Sequence, residues 1–339
     1  MFGIARVSVF VFLLTMAIGS LDARAAQQET ALEETLSGPD AHQIGAGPHG
    51  HLFGDWGGAR SSLFDRGVKF DFHYVSDSLW NVESVRPTVF VMWNRIRGTM
   101  DIDLGMFKGN EGWYFHATNL WQAGGNLGEY LGLITGPSGL VSEDTFRLDS
   151  WWLEKRWFSD RLTIRGGQFA GQDFYGTQHY GASYIFEPMG YALGNLFTDF
   201  ESFDPPSTPA TEIRVVPARH MYVKLMAEAE DRTPFANNPT GFVPEFHGVP
   251  VSLAEIAFTP GKKASSVRAF DNVESRKGYS GLYQFGASYN LATFTTAAGT
   301  QKSSNHLFYW MASQALWRVD PKEARGLDAT SRTTGARPT

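Results

Sequence analysis

Polar and apolar residues alternate with a period of two along most of this chain. The clearest case is residues 94–104. One side of this segment carries Arg95, Arg97, Thr99, Asp101 and Asp103, and the other carries Ile96, Gly98, Met100, Ile102 and Leu104. Alternation of this kind is typical of a β-strand whose two sides lie in different environments.

The same pattern recurs between turn residues such as Lys108-Gly109-Asn110, Ser159-Asp160 and Pro260-Gly261. Further strands are predicted at 69–76, 112–122, 146–158, 161–169, 212–216, 221–229, 252–258, 281–290 and 306–317. Together with 94–104, the pattern predicts an all-β antiparallel fold of about ten to twelve strands.

One short helix is predicted ahead of the strands, over residues 54–67. Asp55 can cap its start and Gly67 can end it in a left-handed conformation. A helix of this length is marginal alone, so it must pack on the rest of the protein. No helical periodicity follows Gly67.

The N-terminus has the organisation of an export signal. Arg6 precedes an apolar run over 7–21, and Ala23-Arg24-Ala25 offers the small residues of a cleavage site. We expect a signal peptide over 1–25, because the run is shorter than the about 20 residues of a spanning helix. Residues 26–51 are expected to form a mobile leader.

Composition narrows the function classes. The chain has 339 residues, no Cys and a formal net charge of −6, so it forms no disulfide and offers no thiolate. Its acidic, unclustered charge argues against nucleic acid as a partner. We find no HExxH, Gly-x-Ser-x-Gly, Walker or dinucleotide motif, and expect no catalytic residue, metal or cofactor. Asp101 and Asp103 lie on one wall of one strand, unlike the carboxylates that flank a glycosidic bond.

An exported β-protein is either a soluble sandwich or a membrane barrel, since only closed barrels otherwise satisfy backbone groups in lipid. Tryptophan near the predicted strand ends favours the barrel, because barrels place aromatic girdles at the membrane interfaces. These residues are Trp93, Trp113, Trp121, Trp151, Trp157, Trp310 and Trp317. A secreted β-sandwich that binds glycans is the alternative.

In a barrel, Arg95 and Arg97 must face the lumen, because a lipid-facing Arg at the midplane costs about 2–4 kcal/mol. Asp101 and Asp103 lie on the same side of this strand, so they must face the lumen as well. Opposed basic and acidic side chains can hydrogen-bond a neutral polyol. The alternative interpretation is a solvated lumen wall with no binding role. Other candidates for binding a substrate are the aromatic platforms Trp121 and Trp152 with the charged Glu154 and Arg165. The competing interpretation of the tryptophans is an interfacial girdle.

Residues 171–210 show no clean strand and are too aromatic for a disordered segment. Structureless loops longer than about 12–15 residues are usually functional or disordered. We therefore predict that 171–210 folds into or over the pore and narrows it. An external loop packed on its neighbours is the other interpretation. For the helix, a plug on the periplasmic side and a strut at the barrel rim fit equally.

The segment Leu52-Phe53-Gly54-Asp55-Trp56-Gly57-Gly58-Ala59-Arg60, followed by Gly67-Val68, resembles the opening of carbohydrate-selective porins, the OprB family. Three later stretches are similar to that family in order and spacing: His116 to Leu127, Trp152-Leu153-Glu154 followed by 162–168, and Arg325-Gly326-Leu327. The resemblance covers residues 52–328.

This resemblance implies an outer-membrane barrel, typically of sixteen strands, that passes sugars by diffusion through a weak binding site. It implies the outer membrane of a Gram-negative-type bacterium, with membrane lipid, barrel-assembly machinery, mono- or oligosaccharides and identical subunits as partners. The chain ends soon after Arg325-Gly326-Leu327. We therefore expect a C-terminally truncated member, with the barrel over 68–328 and an atypical polar tail over 329–339. A non-functional truncated porin is a further alternative.

Overall fold

The computed structural model of the chain describes residues 54–133, 136–171, 174–175, 207–231, 233–243, 246–264, 278–296, 298–320 and 325–336. The predicted signal peptide and leader lie outside the described residues, as does most of 171–210.

Eleven antiparallel strands form one sheet in which each strand pairs with its neighbours in the sequence, from β1 to β11. The strands are β1 (Val68–Trp80), β2 (Phe90–Asp103), β3 (Trp113–Gly124), β4 (Thr145–Trp157), β5 (Leu162–Phe169), β6 (Thr208–Ala218), β7 (Met221–Glu230), β8 (Val249–Phe258), β9 (Gly281–Thr295), β10 (Gln301–Arg318) and β11 (Gly326–Ala336). The predicted all-β class and strand number are confirmed. In the part of the chain described, no ladder joins β1 to β11, so the sheet is not closed.

Charged side chains are buried on one face of the sheet and apolar side chains are exposed on the other, which is the reverse of the arrangement in a water-soluble protein. Charged residues such as Arg95 and Asp101 are buried on the inner face, whereas Ile96 between them is 44% exposed on the outer face. Exposed apolar side chains cover the outer face from β1 to β10, among them Phe72, Tyr74, Leu153, Ile164, Ile213, Leu225, Ile256, Phe285, Phe308 and Leu316. An apolar outside with a polar inside is typical of a barrel in lipid.

The connections differ at the two ends of the sheet. At one end, called here the short-turn end, β4 joins β5 through 158–161 and β6 joins β7 through 219–220. At the other end, the long-loop end, three connections are long, 125–144, 170–207 and 231–248, and two are shorter, 81–89 and 296–300. Short turns are periplasmic in such barrels and longer loops are extracellular. The connection 259–280 is the one long segment at the short-turn end.

The N-terminal helix lies at the short-turn end and differs from its prediction. A 3-10 turn, Trp56–Gly58, precedes helix α1 (Ala59–Phe64), because Gly57 and Gly58 adopt left-handed conformations that break a continuous helix. The Asp55 carboxylate accepts hydrogen bonds from Ser61 N at 2.8 Å and Ser61 Oγ at 2.7 Å. Gly67 has the predicted positive φ.

Helix α1 packs on strand β1 through a hydrogen bond, an ion pair and a contact between aromatic rings. Arg60 Nη2 donates to the Phe70 carbonyl at 2.9 Å and lies 3.7 Å from Asp71 Oδ1. The Trp56 and Phe72 rings are 6.4 Å apart. These contacts support a strut at the rim.

Three further predictions need correction. Strand β11 occupies most of the predicted polar tail and pairs with β10, Ser313 facing Thr330; β-branched threonines give this polar segment strand propensity. Two short helices, α2 (Leu127–Leu131) and α3 (Pro234–Asn237), occur where no helix was predicted. Trp93 was assigned to the outer girdle, but it is buried on the inner face.

None of the helices in the described ranges has the length and apolar character needed to cross a membrane.

The outer face generates a stability prediction. Ile96→Arg should destabilise the folded protein in lipid by about 2–4 kcal/mol, because it places a charge mid-strand on the apolar face. Urea unfolding in lipid vesicles measures this loss. The control Ile96→Leu should cost less than about 1.5 kcal/mol. Equal stability of the two variants would show that this face does not contact hydrocarbon.

Candidate functional site: the inner wall of the sheet

The inner wall near the long-loop end is organised by Arg95. Its Nε donates to Gln122 Oε1 at 2.9 Å, and its Nη2 donates to the Leu140 carbonyl at 2.7 Å. Gln122 Nε2 in turn donates to the Glu143 carbonyl at 2.8 Å. These bonds connect strands β2 and β3 to the loop 125–144, so Arg95 holds a loop against the wall.

Further along β2 and β3, Asp101 belongs to a buried cluster that the sequence analysis missed. His116 Nδ1 lies 2.6 Å from Asp101 Oδ1, and His116 Nε2 lies 2.9 Å from Thr118 Oγ1. The His116 ring stacks on Trp152, with ring centroids 3.7 Å apart. The even-numbered parity of β3, shared with Thr118, was the signal that could have placed His116 on this wall.

Glu154 is the centre of the next group. Its Oε2 accepts from Arg165 Nε at 2.9 Å and Nη2 at 2.5 Å, while its Oε1 accepts from Arg156 Nε. Arg165 Nη1 also lies 3.7 Å from Glu212 Oε1 on β6. Basic and acidic side chains therefore alternate across β4, β5 and β6.

Trp152 stands between these two groups and is 5% exposed. Phe169 and Phe174 meet its ring edge-to-face at 5.9 and 5.6 Å. The Arg165 guanidinium carbon lies 5.1 Å from the Trp152 ring centroid and 4.1 Å from that of Phe174. Cation–π contacts and stacking thus fix the orientation of Arg165.

The alternation continues on β7 and β8 through residues that were not predicted. Lys224 Nζ lies 2.9 Å from Glu255 Oε1. The Glu255 carboxylate also accepts from Tyr222 OH at 3.0 Å, Tyr309 OH at 2.6 Å and Gln284 Nε2 at 3.1 Å. This hub around Glu255 joins side chains from four strands, β7 to β10, so it follows from their register and not from any local sequence pattern.

Of the eight predicted site residues, the structure places seven on the inner wall: Arg95, Arg97, Asp101, Asp103, Trp152, Glu154 and Arg165. It brings Trp152, Glu154 and Arg165 into contact, and Asp101 joins them through His116. Arg95 lies towards the long-loop end. Asp103 lies at the short-turn end, where it accepts from Gly105 N at 2.8 Å.

Trp121 corrects the eighth prediction. It is 39% exposed on the outer face, where it pairs with Ile96 of β2 and Phe146 of β4. Its parity on β3 is opposite to that of His116, so it cannot stack on a ligand at the inner wall. Its position fits the competing interpretation, an aromatic residue facing lipid.

The predicted constriction 171–210 is described only at its ends. Phe174 and Tyr175 are buried on the inner wall, where Lys224 Nζ donates to the Phe174 carbonyl and lies 4.5 Å from the Tyr175 ring centroid. Ser207 N and Oγ each donate to the Asp149 carboxylate at 3.3 Å. Residues 176–206 lie outside the described residues.

The chemistry of this wall is hydrogen bonding. In the described ranges, no group of three or more His, Cys, Asp or Glu is arranged to hold a metal ion. Glu154 and Glu255 each contact a cationic partner, so the wall presents charged donors and acceptors with little net charge. Neutral molecules rich in hydroxyl groups match such a surface.

Comparison with one solved structure supports the fold. The high-pH structure of Pseudomonas putida OprB is similar with a TM-score of 0.70 and 17% identity, covering 84% of this chain and 70% of that chain. The low-pH structure of the same protein has a TM-score of 0.49 and 17% identity, covering 84% and 72%. No curated protein sequence matches the chain.

The family model described as "Carbohydrate-selective porin, OprB family" matches residues 94–339, which is most of the chain and includes most of β2 and all of β3 to β11. Members of this family are outer-membrane channels for carbohydrate rather than enzymes, and the charged inner wall and apolar outer face fit that class. The chain belongs to the carbohydrate-selective porin (OprB) family.

Proposed function

We propose that this protein lets sugars diffuse passively across the outer membrane through a weak binding site on the inner wall. The observation that carries the proposal is the alternation of guanidinium, carboxylate and ammonium groups across β4 to β8, from Arg156 through Glu154, Arg165 and Glu212 to Lys224 and Glu255. The concentration gradient alone moves the sugar, and no cofactor is involved.

Alternating charges favour a neutral solute for an electrostatic reason. Each ion at the wall faces a nearby opposite charge, so neither cations nor anions gain a continuous attractive path. A sugar hydroxyl both donates and accepts, so it can bridge a guanidinium and a carboxylate such as those of Arg165 and Glu154. Binding should be millimolar, about −4 kcal/mol, because tighter binding would slow release.

We propose that the chain reaches the outer membrane by export and assisted insertion. Residues 1–25 direct export and are removed, and the barrel-assembly machinery inserts the mature chain. Identical subunits associate in the membrane. The sandwich alternative lacks support, because the described strands form one sheet with an apolar outer face. A non-functional truncated porin would give no channel in the measurements below.

Charge substitutions on the inner wall should shift ion selectivity in opposite directions. Glu154→Gln leaves Arg156 and Arg165 less compensated and should favour anions, whereas Arg165→Gln should favour cations. Reversal potentials in planar bilayers under a salt gradient measure both shifts. Lys155→Gln changes the charge of the outer face of β4 and should leave selectivity unchanged. Selectivity that is equal in all three variants would place this wall outside the permeation path.

The same Glu154→Gln variant tests sugar binding. Loss of a hydrogen bond to a charged group weakens an interaction by about 1.5–3 kcal/mol, so the glucose concentration for half-maximal block should rise about tenfold or more. Glucose titrations of single-channel conductance give this value. Trp121→Phe, on the outer face of β3, is the control. Block that is unaffected by Glu154→Gln would exclude this carboxylate from the sugar site.

We also propose that the connection 170–207 narrows the pore, because its described ends are fastened to the inner wall by Lys224 and Asp149. Replacing residues 176–206 with a short Gly-Ser linker keeps those anchors and should raise single-channel conductance. A variant with the same linker in place of 125–133 in the neighbouring loop controls for loss of loop mass. Unchanged conductance after replacement of 176–206 would identify an external loop.

A further inference from the structure

Lys155 places a charged side chain on the apolar outer face of the sheet. Lys155 of β4 pairs with Trp113 on one side and Ile164 on the other, both on the outer face. In the strand positions described, it is the one Lys, Arg, Asp or Glu on that face away from the strand ends. A lipid-facing Lys is strongly unfavourable at the membrane midplane but costs little near the interface.

The surroundings of Lys155 place it at the interface of the short-turn end. Its Nζ lies 5.2 Å from the Trp113 ring centroid and 5.7 Å from that of Trp157, and it donates to the Glu111 carbonyl at 2.5 Å. Glu111 belongs to the connection between β2 and β3, so the ammonium group points out of the strand region towards the rim. Two tryptophans around a lysine match the aromatic girdle of a membrane interface.

Both halves of a phospholipid find matching chemistry here. An ammonium group has three N–H donors, and the bond to Glu111 uses one of them. Below the ammonium, exposed Leu153 and Ile164 offer apolar contact on the same face. Towards the rim, Arg161 is exposed and lies on the turn that follows β4. Its Nε and Nη2 donate hydrogen bonds to the carbonyls of Val216 and Pro217.

We propose that the corner formed by Trp113, Lys155 and Trp157 binds the phosphate headgroup of an anionic phospholipid, with Arg161 adding positive charge at the rim. The acyl chains lie along Leu153 and Ile164. The site is on the side of the wall opposite to Glu154 and Arg165, so it is separate from the sugar path. It anchors the short-turn end of the barrel at a fixed depth in its leaflet.

Native mass spectrometry of the mature chain in detergent, titrated with phosphatidylglycerol, tests the proposal. Lys155→Gln should weaken phosphatidylglycerol binding about fivefold, since a Lys near an anionic surface contributes about 1 kcal/mol. Lys302→Gln removes an exposed lysine at the long-loop end and should bind like the unmodified chain. Equal affinity of the Lys155→Gln and Lys302→Gln variants would overturn the proposal.

Two more variants and a competition experiment separate loss of the lipid site from poor folding. Lys155→Arg preserves the charge and should retain the lipid, and Trp113→Leu should weaken binding even if Lys155→Gln folds poorly. Inorganic phosphate at the same concentration should not displace the lipid, because it lacks the acyl chains. Displacement by inorganic phosphate, or loss of lipid from Lys155→Arg equal to that from Lys155→Gln, would contradict the proposed site.

Discussion

The exclusion of charge from the outer face is the constraint on which the rest of this structure depends. Hydrocarbon tolerates apolar side chains and rejects ionised ones, so each strand must separate the two kinds by parity. Residues 95–103 of β2 show the result, with Arg95 and Asp101 buried inside and Ile96 exposed outside. A strand with a one-residue slip would expose its charges to lipid, which fixes the register.

Concentrating charge on the inside creates a second requirement, because buried ions need partners. The antiparallel register supplies them from neighbouring strands: Arg165 faces Glu154 on one side and Glu212 on the other, and Lys224 faces Glu255. The array that stabilises the wall is therefore also the array that a sugar would meet. Structural need and proposed function coincide in the same residues.

Sequence periodicity predicted ten of the eleven strands and the side on which Arg95, Arg97, Asp101 and Asp103 lie, because these follow from local pattern. It missed features that depend on register across strands. His116 has no local signal for stacking on Trp152, and the Glu255 hub joins residues from four strands.

Trp121 was misassigned because its aromatic character was considered without the side of β3 on which it lies. An irregularity between Thr118 and Asn119 on β3 also changes the parity of β4 opposite, so Arg147 and Trp152 both face inward. Strand β11 was missed because its outer positions are polar.

The most direct test of the central claim uses the absence of cysteine from the chain. Single cysteines introduced in turn along β2 at residues 95–100 carry a fluorophore, and the protein is folded into vesicles that contain a lipid-borne quencher. Quenching is predicted to alternate, strong at 96, 98 and 100 and weak at 95, 97 and 99. Equal quenching at successive positions, or strong quenching at 95 and 97, would contradict this account of the fold.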